Sequence, residues 1–192
     1  MAVSLPGLKK PMTADELFKH YNSTLGKHEL VRGQLVVMEP VGTEHGAVAL
    51  SVGSVLLMYA RENALGTVFV ETGFILQRNP DTVRAPDVSF VAAERMKRLT
   101  RDERRKYFVG HPDLAVEVIS PDERWRNTEE KIADCFTAGT QLFWIVDPQK
   151  RRIIVRKPDG TSQLLSEDND QIDGGNVLPG FSATVRELLA AR

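Results

Sequence analysis

The sequence lacks several features, and each absence excludes a class of protein. It has a single cysteine, Cys135, among 192 residues, so it can form neither an internal disulfide nor a zinc site built from several thiolates. Its longest apolar stretches, 48–60 and 142–146, are shorter than the roughly 20 residues that a membrane-spanning helix needs. Residues 1–11 lack the apolar core of a signal peptide. We therefore expect a soluble, cytoplasmic protein without membrane contact, with Cys135 as a packed core thiol rather than a nucleophile.

An excess of charge of either sign is also missing. The formal net charge is −1 and the pI is about 6.4, which argues against a protein that coats nucleic acid by bulk attraction. Any contact with a polyanion must therefore be local. The best candidate is the basic segment, residues 95–106, in which seven basic side chains outnumber two acidic ones. Such a run is often only a solvated face, so its position in the fold decides its meaning.

The composition is ordinary for a globular protein, with 42% hydrophobic and 27% charged residues, and the length fits one compact domain over 1–192. Thr13 and Glu16 have capping-box spacing and predict a short helix through His20. The other predicted elements begin with strands 29–31 and 34–38 around a turn at 32–33, then a helix that Thr43 caps and that runs to about Asn63. Strands 67–71, 74–77, 85–91 and 114–119 follow, and residues 120–122 end the last of them. The remaining elements are a helix from Asn127 or Thr128 to Ala138, a meander of 141–146, 152–156 and 162–165, a short glycine-rich segment and a last helix near 183–190. This order predicts an α+β (α/β-like) fold with a mixed, mainly antiparallel sheet flanked by helices.

Two acidic residues stand where apolar strands are predicted, Asp87 and Glu117. An ionised carboxylate there is costly unless a cation, a metal or several hydrogen bonds compensate it. Strand periodicity places Glu117 on the face of Ala115 and Ile119, away from the Leu/Val side. If the two strands are neighbours, the carboxylates converge on one hard cation, which prefers oxygen ligands. The alternative is that Pro86 and Asp87 form only a turn and Glu117 pairs with an arginine.

A lysine in the next predicted helix completes a set suited to phosphate chemistry. Lys131 follows Glu117 by fourteen residues. Phosphodiester cleavage builds negative charge on the phosphate, and a metal and an ammonium group can offset that charge together. The alternative is a surface lysine on a charged helix, beside Glu129 and Glu130.

Several segments together resemble a known family. The strings RAPD at 84–87, AVEV at 115–118, EKIAD at 130–134 and FWIVDP at 143–148 are similar to the Uma-type "putative restriction endonuclease" family. This bacterial family, long filed as a domain of unknown function, belongs to the PD-(D/E)xK nuclease superfamily. The similarity runs in order over nearly the whole chain, from 13–16 to 174–181. It implies a single restriction-endonuclease-like domain.

The resemblance also implies roles for individual residues. Asp87 matches the aspartate of the PD motif and Glu117 the acidic residue of the second half, both as metal ligands. Glu29 matches an earlier acidic residue that often helps to hold the metal or its waters. The superfamily lysine usually stands two residues after the second acid, where this chain has Ile119, and the matching residue here is Lys131. The implied metal is Mg²⁺, with Mn²⁺ as a possible substitute.

Other positions depart from the family pattern or allow two readings. Arg32 and Gln34 stand where acidic residues are common in relatives, so a second metal near Glu29 is less secure. His45 lies near the start of the long predicted helix, where it could hydrogen-bond a phosphate as an accessory residue or help to cap the helix. We expect the structural role for His45.

The leading hypothesis is a magnesium-dependent DNA endonuclease. Asp87, Glu117 and Glu29 would bind the metal, and Lys131 would orient or help to deprotonate the attacking water and stabilise the transition-state charge. The predicted DNA-binding residues contact the phosphate backbone and are Arg95, Lys97, Arg98, Arg101, Arg104 and Arg105. Two sites that cut opposite strands need a twofold arrangement, so we expect a homodimer. Two rival hypotheses are a non-catalytic binding or scaffold protein with the nuclease fold and a metal-dependent hydrolase of a smaller phosphate ester.

Overall fold

A computed structural model describes residues 3–4, 10–21, 26–120 and 125–190 of the chain. Its helices are α1 (Ala14–Tyr21), α2 (Thr43–Glu62), α3 (Ala93–Lys97), α4 (Trp125–Ala138) and α5 (Val185–Leu188). Its strands are β1 (Val3–Ser4), β2 (His28–Val31), β3 (Gln34–Val37), β4 (Gly66–Val70), β5 (Phe74–Gln77), β6 (Thr82–Arg84), β7 (Val88–Ala92), β8 (Phe108–Val109), β9 (Leu114–Val118), β10 (Leu142–Asp147), β11 (Arg152–Arg156), β12 (Ser162–Leu165), β13 (Gln171–Gly174) and β14 (Leu178–Thr184).

In the described ranges these strands form three sheets. The first has the order β1-β3-β2-β6-β5-β8, the second has the order β12-β11-β10-β9-β7-β4, and β13 and β14 form a hairpin of their own. The pairs β5–β8 and β9–β10 are parallel, and the other pairs are antiparallel. The predicted mixed, mainly antiparallel α+β class is therefore confirmed, although the strands divide among three sheets rather than joining one.

The second sheet is buried between two helices. On one face Val116 and Val118 join the large apolar cluster that α2 completes with Val52 and Leu56. On the other face Ala115 packs with residues of α4 in a separate cluster. Because β9 and β10 are parallel, the chain must cross over between them, and α4 is that crossover. Glu117 shares the strand face of Ala115, so it points into the layer that α4 covers.

Cys135 lies in the same α4 layer. It is fully buried, and this burial raises the pKa of its thiol to about 12. A thiol that stays protonated behaves as a small apolar side chain. The expectation of a packed core cysteine agrees with this environment.

Local sequence signals account for the elements of the first sheet. The main chain of Thr13 donates to Glu16 at 2.8 Å and that of Glu16 donates to Thr13 at 3.2 Å, so the predicted capping box is present before α1. Arg32 and Gly33 both have positive φ, 49° and 78°, as a two-residue type I′ hairpin requires between β2 and β3. A Cβ atom at Gly33 would also lie 2.5 Å from Cβ of Pro11, so this turn needs glycine.

The structure corrects several predicted boundaries. Helix α4 begins at Trp125, before the predicted Asn127 or Thr128, and the N-cap of α2 is Gly42 with no side-chain cap, rather than Thr43. The predicted strand end at 121–122 lies outside the described residues. The basic segment, predicted only as a connection, includes parts of α3 and a 3₁₀ turn at Glu103–Arg105. It leads directly into Tyr107 and β8.

The predicted last helix is too long, and the glycine-rich segment before it belongs to a β-hairpin. Residues 171–184 form the hairpin β13–β14, and only Val185–Leu188 is helical. The register shifts at Asp173 and Gly174, and a Cβ at Gly174 would lie 2.5 Å from that of Leu178. Glycine and proline within a short hairpin hide the strand pattern, since both are uncommon in regular strands.

Across the parts of the chain that are described, every helix is too short or too polar to span a lipid bilayer.

Candidate active site

Asp87 and Glu117 come together because β7 and β9 are antiparallel neighbours. Val88 lies opposite Val116, so the residues just beyond this pair, 87 and 117, stand side by side. An oxygen of Asp87, Oδ2, accepts a hydrogen bond of 2.8 Å from the main-chain nitrogen of Val118. Both carboxyl groups are buried, with 3% of each residue exposed. The neighbouring strands assumed from the sequence are therefore present, and each acid needs compensation.

Asp87 receives that compensation from two side chains on different elements. Lys27, immediately before β2, forms an ion pair with Oδ1, and Nε2 of His45 on α2 lies 3.2 Å from Oδ2. Burial alone would raise the pKa of Asp87. The hydrogen bond from His45 and the positive charge of Lys27 outweigh burial and hold this pKa well below its usual range.

His45 therefore contacts the acid instead of capping its helix. Burial lowers the pKa of His45, but the hydrogen bond to Asp87 and its negative charge raise this pKa above the ordinary value. The expectation of a capping role is wrong, because Gly42 occupies the cap position and His45 is already inside α2.

Glu117 is compensated mainly by Lys131, the lysine displaced to the next helix. The Nζ atom of Lys131 lies 2.8 Å from Oε1 of Glu117 and 3.0 Å from Oε1 of Glu29. Lys131 shares the buried face of α4 with Ile132 and Cys135, and this face packs on the sheet. Burial lowers the pKa of Lys131, but the charges of Glu117 and Glu29 raise it well above its ordinary value. The ammonium is therefore permanently charged.

The charge of Glu117 is less fully compensated than that of Asp87. Burial and the negative charge of Asp87 raise the pKa of Glu117 to about 7, against the opposing effects of Lys131 and Lys27. Its Oε1 atom has the ammonium of Lys131 as its partner at 2.8 Å, and Lys131 shares its charge with Glu29. A buried carboxyl group whose charge is incompletely compensated still favours a nearby cation.

Both carboxylate oxygens of Glu29 have hydrogen-bond donors. Its Oε1 accepts a 2.9 Å hydrogen bond from the main chain of Ala85 and faces Lys131, and its Oε2 accepts a 2.9 Å bond from Arg84. Burial raises the pKa of Glu29, but Lys131 and Arg84 outweigh burial and lower this pKa to about 2. These contacts position Lys131, and the role of metal ligand that we expected for Glu29 stays a prediction.

Arg84 extends the charged network to α4. Its Nη2 and Nε atoms donate to Oδ2 of Asp134 at 2.6 and 2.8 Å, while Nη1 bonds Glu29. Sequence reasoning did not assign roles to Lys27, Arg84 or Asp134. The strings RAPD and EKIAD contain Arg84 and Asp134, so that signal could have found them, whereas Lys27 stands in no recognised motif.

The oxygen atoms of Asp87 and Glu117 suit a hard divalent cation. Among the residues that the structure describes, no group of three or more His, Cys, Asp or Glu side chains forms a ready metal site. Mg²⁺ does not require such a group, since it is usually bound by one or two carboxylates and keeps several waters. The two adjacent, buried carboxylates of Asp87 and Glu117 therefore fit Mg²⁺.

The basic segment starts at the end of β7 that is farther from Asp87. Some of its charges are already engaged: Arg95 binds Asp113 at 2.9 Å and the carbonyl of His111 at 2.7 Å, and Arg104 donates to the carbonyl of Met96 at 2.6 Å. The exposed basic side chains of the segment are Lys97, Arg98, Arg101, Arg104, Arg105 and Lys106, of which Lys97 forms a surface pair with Glu94.

Beyond the basic segment, the chain returns towards the site. The Tyr107 hydroxyl lies 3.0 Å from Nε2 of His28, next to Lys27. The exposed positive charges therefore lie on a connection whose end reaches the Asp87 side of the cluster.

Comparison with solved structures identifies the class of fold. The chain is similar to a protein from Anabaena variabilis ATCC 29413, described as a "putative nuclease belonging to DUF820", with a TM-score of 0.78 and 20% sequence identity. The match covers 94% of this chain and 99% of the other. At this level of identity the comparison shows a shared fold: this chain has the same fold as the protein described as a putative nuclease.

The family follows from the sequence. The model of the Uma2 family, described as "Putative restriction endonuclease", matches residues 14–186. The chain therefore belongs to the Uma2 family, as the resemblance of its motifs predicted. No curated protein matches this sequence.

Proposed function

We propose that this protein is a metal-dependent endonuclease that hydrolyses phosphodiester bonds of DNA, with Mg²⁺ as its metal and Mn²⁺ as a substitute. The observation that carries the proposal is the buried pair of Asp87 and Glu117, with the ammonium of Lys131 2.8 Å from Glu117. Membership of the Uma2 family supports a nuclease.

Asp87 and Glu117 would hold the metal ion. When bound, such an ion polarises the phosphate as a Lewis acid and lowers the pKa of a water molecule. The remaining work belongs to the side chains. Lys131 lies 2.8 Å from Glu117, where its ammonium would orient the attacking water and offset charge on the phosphate. Glu29 fixes the position of Lys131 from the opposite side.

DNA would be held through its phosphates by the exposed part of the basic segment. Contacts of this kind position a duplex without reading its sequence. Because two strands must be cut, the active form would be a homodimer with one site for each strand. A monomeric mass by light scattering at micromolar concentration would contradict the dimer.

Cleavage of supercoiled plasmid with Mg²⁺ and with Mn²⁺ tests the proposal. We expect cleavage by the wild type and a loss of about 100-fold or more in Glu117→Gln and Lys131→Ala. Lys157→Ala is the matched control, because it removes an exposed lysine far from the paired acids. Lys157 follows the end of β11, and that end lies beside Phe143 at the start of β10, away from Glu117. Cleavage that survives Glu117→Gln would come from a contaminant and would contradict the proposal.

A non-catalytic scaffold is the second candidate, favoured by one observation. Lys27 and Lys131 already neutralise the acids without any metal. Calorimetric titration with Mg²⁺ or Mn²⁺ separates the two: absence of binding to the wild type would favour the scaffold, whereas binding that Asp87→Asn abolishes supports the enzyme. If metal binds, hydrolysis of a mononucleotide diester but not of duplex DNA would indicate a hydrolase of smaller phosphate esters.

A further inference from the structure

Two lysines contact the paired acids, and they differ in how many partners they have. Lys131 lies between two carboxylates, those of Glu117 and Glu29, at 2.8 and 3.0 Å, and its side chain is 6% exposed. In the described ranges Asp87 is the one carboxylate within ion-pair distance of Lys27, while Glu117 acts on it from farther away, and the side chain of Lys27 is 11% exposed. An ammonium group has three donors, so Lys27 retains more capacity for an additional partner.

The backbone of Lys27 is fixed, while its side chain makes a single ion pair. The carbonyl of Lys27 accepts a 2.9 Å hydrogen bond from Met38. The next residue, His28, is held at both ring nitrogens, by the carbonyl of Gly26 at 2.8 Å and by the Tyr107 hydroxyl at 3.0 Å. The lysine is therefore anchored at its base, and its flexible four-carbon stem can change partner without movement of the main chain.

A metal ion on Asp87 would compete with Lys27 for the same carboxylate. In the metal-free protein the ammonium of Lys27 is the counter-ion on Oδ1 of Asp87. A divalent cation that takes its place on Asp87 leaves two positive charges side by side. The half-buried ammonium then needs a new anion, and the anion that the proposed function brings to the metal is a phosphodiester.

We propose that Lys27 is a phosphate-binding catalytic residue whose ammonium exchanges the carboxylate of Asp87 for a non-bridging oxygen of the phosphodiester when metal and DNA bind. The exchange makes and breaks only ion pairs, and no covalent bond or proton changes hands. This inference rests on the proposed function. In this scheme Lys131 stays between Glu117 and Glu29, while Lys27 binds the phosphodiester of the substrate.

The test compares wild type with Lys27→Met, which keeps the stem and removes the charge. The affinity for a short DNA duplex is measured by fluorescence anisotropy in Ca²⁺, which takes the same oxygen ligands, from roughly 50 to 200 mM KCl. Affinity for Ca²⁺ alone is measured by calorimetry. We expect Lys27→Met to bind DNA more weakly, with a slope of log affinity against log salt that is smaller by about 0.9. Its Ca²⁺ affinity should equal or exceed that of the wild type, because a competitor for Asp87 has been removed.

Two further variants complete the test. Lys157→Met removes an exposed charge at the opposite strand ends and should leave both affinities and the slope unchanged. Lys27→Arg keeps the charge and should keep the slope. If Lys27→Met fails to fold by circular dichroism, Lys27→Gln replaces it, since the amide can still donate to Asp87.

The outcomes separate this inference from the proposed function. An unchanged slope in Lys27→Met, with a wild type that binds and cuts DNA, overturns the inference alone. Weaker Ca²⁺ binding by Lys27→Met also overturns it, since that result indicates a lysine that merely holds Asp87 in place. A wild type that neither binds nor cuts DNA overturns the proposed function and this inference with it.

Discussion

Two acids at the site, Asp87 and Glu29, each have three partners that stabilise the negative charge, but the partners lie on different elements. Asp87 has Lys27, His45 and the main chain of Val118, whereas Glu29 has Arg84, Lys131 and the main chain of Ala85. The pKa values of these two acids are lowered as a result. Acids of this kind stabilise the folded state only while they are ionised.

Glu29 provides a prediction of pH dependence for the metal-free protein. Its pKa falls from 4.5 to about 2 on folding, so its contribution to stability is present above pH 4.5 and is lost as the pH falls towards 2. A shift of this size corresponds to about 3 kcal/mol. We expect Glu29→Gln to be less stable than the wild type at pH 7 but to lose less free energy of unfolding between pH 5 and 3. Urea unfolding in EDTA at several pH values measures this, and parallel pH profiles would contradict it.

The sequence could indicate some of the site residues and not others. Asp87 and Glu117 were conspicuous because a carboxylate in an apolar strand is costly, and Lys131 because it lies in a recognised motif. Lys27 stands outside any strand or helix and sixty residues from Asp87. Its role depends on the pairing of β2 with β6, which no local pattern encodes, so sequence reasoning did not find it.

At the scale of elements, the crossover α4 matters most, because it carries Lys131 to the sheet. Arg84 at the end of β6 binds both Asp134 of α4 and Glu29 of β2. This residue therefore ties the helix to the first sheet, three positions before Asp87. The contact fixes how far α4 can slide or rotate, and with it the position of the ammonium of Lys131.

A double-mutant cycle on Arg84 and Asp134 tests this tie. Arg84→Met removes the guanidinium that Glu29 and Asp134 share. It should cost about 3 kcal/mol of unfolding free energy, because removing one member of a buried ion pair leaves charge that is poorly compensated. The double variant with Asp134→Asn should lose less than the sum of the single losses. Urea unfolding gives the values. The control is Lys97→Ala, which removes an exposed ion pair with Glu94 and should not measurably change the free energy of unfolding. If the losses of free energy at Arg84 and Asp134 simply add, the two residues do not hold the helix to the sheet.

Elements with strong local signals could be predicted, and those determined by tertiary packing could not. The hairpin at Arg32 and Gly33 and the long helix α2 follow from turn chemistry and three-to-four-residue spacing. Strand β8 has two residues and depends on pairing with β5. Hairpin β13–β14 contains glycines that its close packing requires, and such residues suggest a loop to any local analysis.

For the molecule as a whole, the distribution of charge decides where a duplex can lie. The net charge is −1, so the protein has no general attraction for a polyanion. The densest run of exposed basic side chains lies on one connection, between the strand that Asp87 precedes and the strand that carries Glu117. If the proposed function holds, this connection is the expected route of the DNA backbone towards the acids.

Removing two exposed charges together tests the route. Arg98→Ala with Arg101→Ala should weaken DNA binding and reduce the slope of log affinity against log salt by about 2, whatever the DNA sequence. Fluorescence anisotropy over a salt series measures both quantities. Arg152→Ala serves as a control on another surface, since Arg152 is bound to Asp147. An unchanged slope in the double variant would show that this connection is not a DNA surface.

The ion pairs around the acids have a final consequence for the dependence of the fold on metal. Proteins whose acidic side chains lack internal counter-ions unfold when a chelator removes their metal. Here Lys27 and Lys131 provide the positive charge from within the chain. If the protein is the magnesium-dependent nuclease proposed above, chelation should abolish cleavage while leaving the melting temperature nearly unchanged. Such a protein would stay folded without its ion and would become active again when the ion returns.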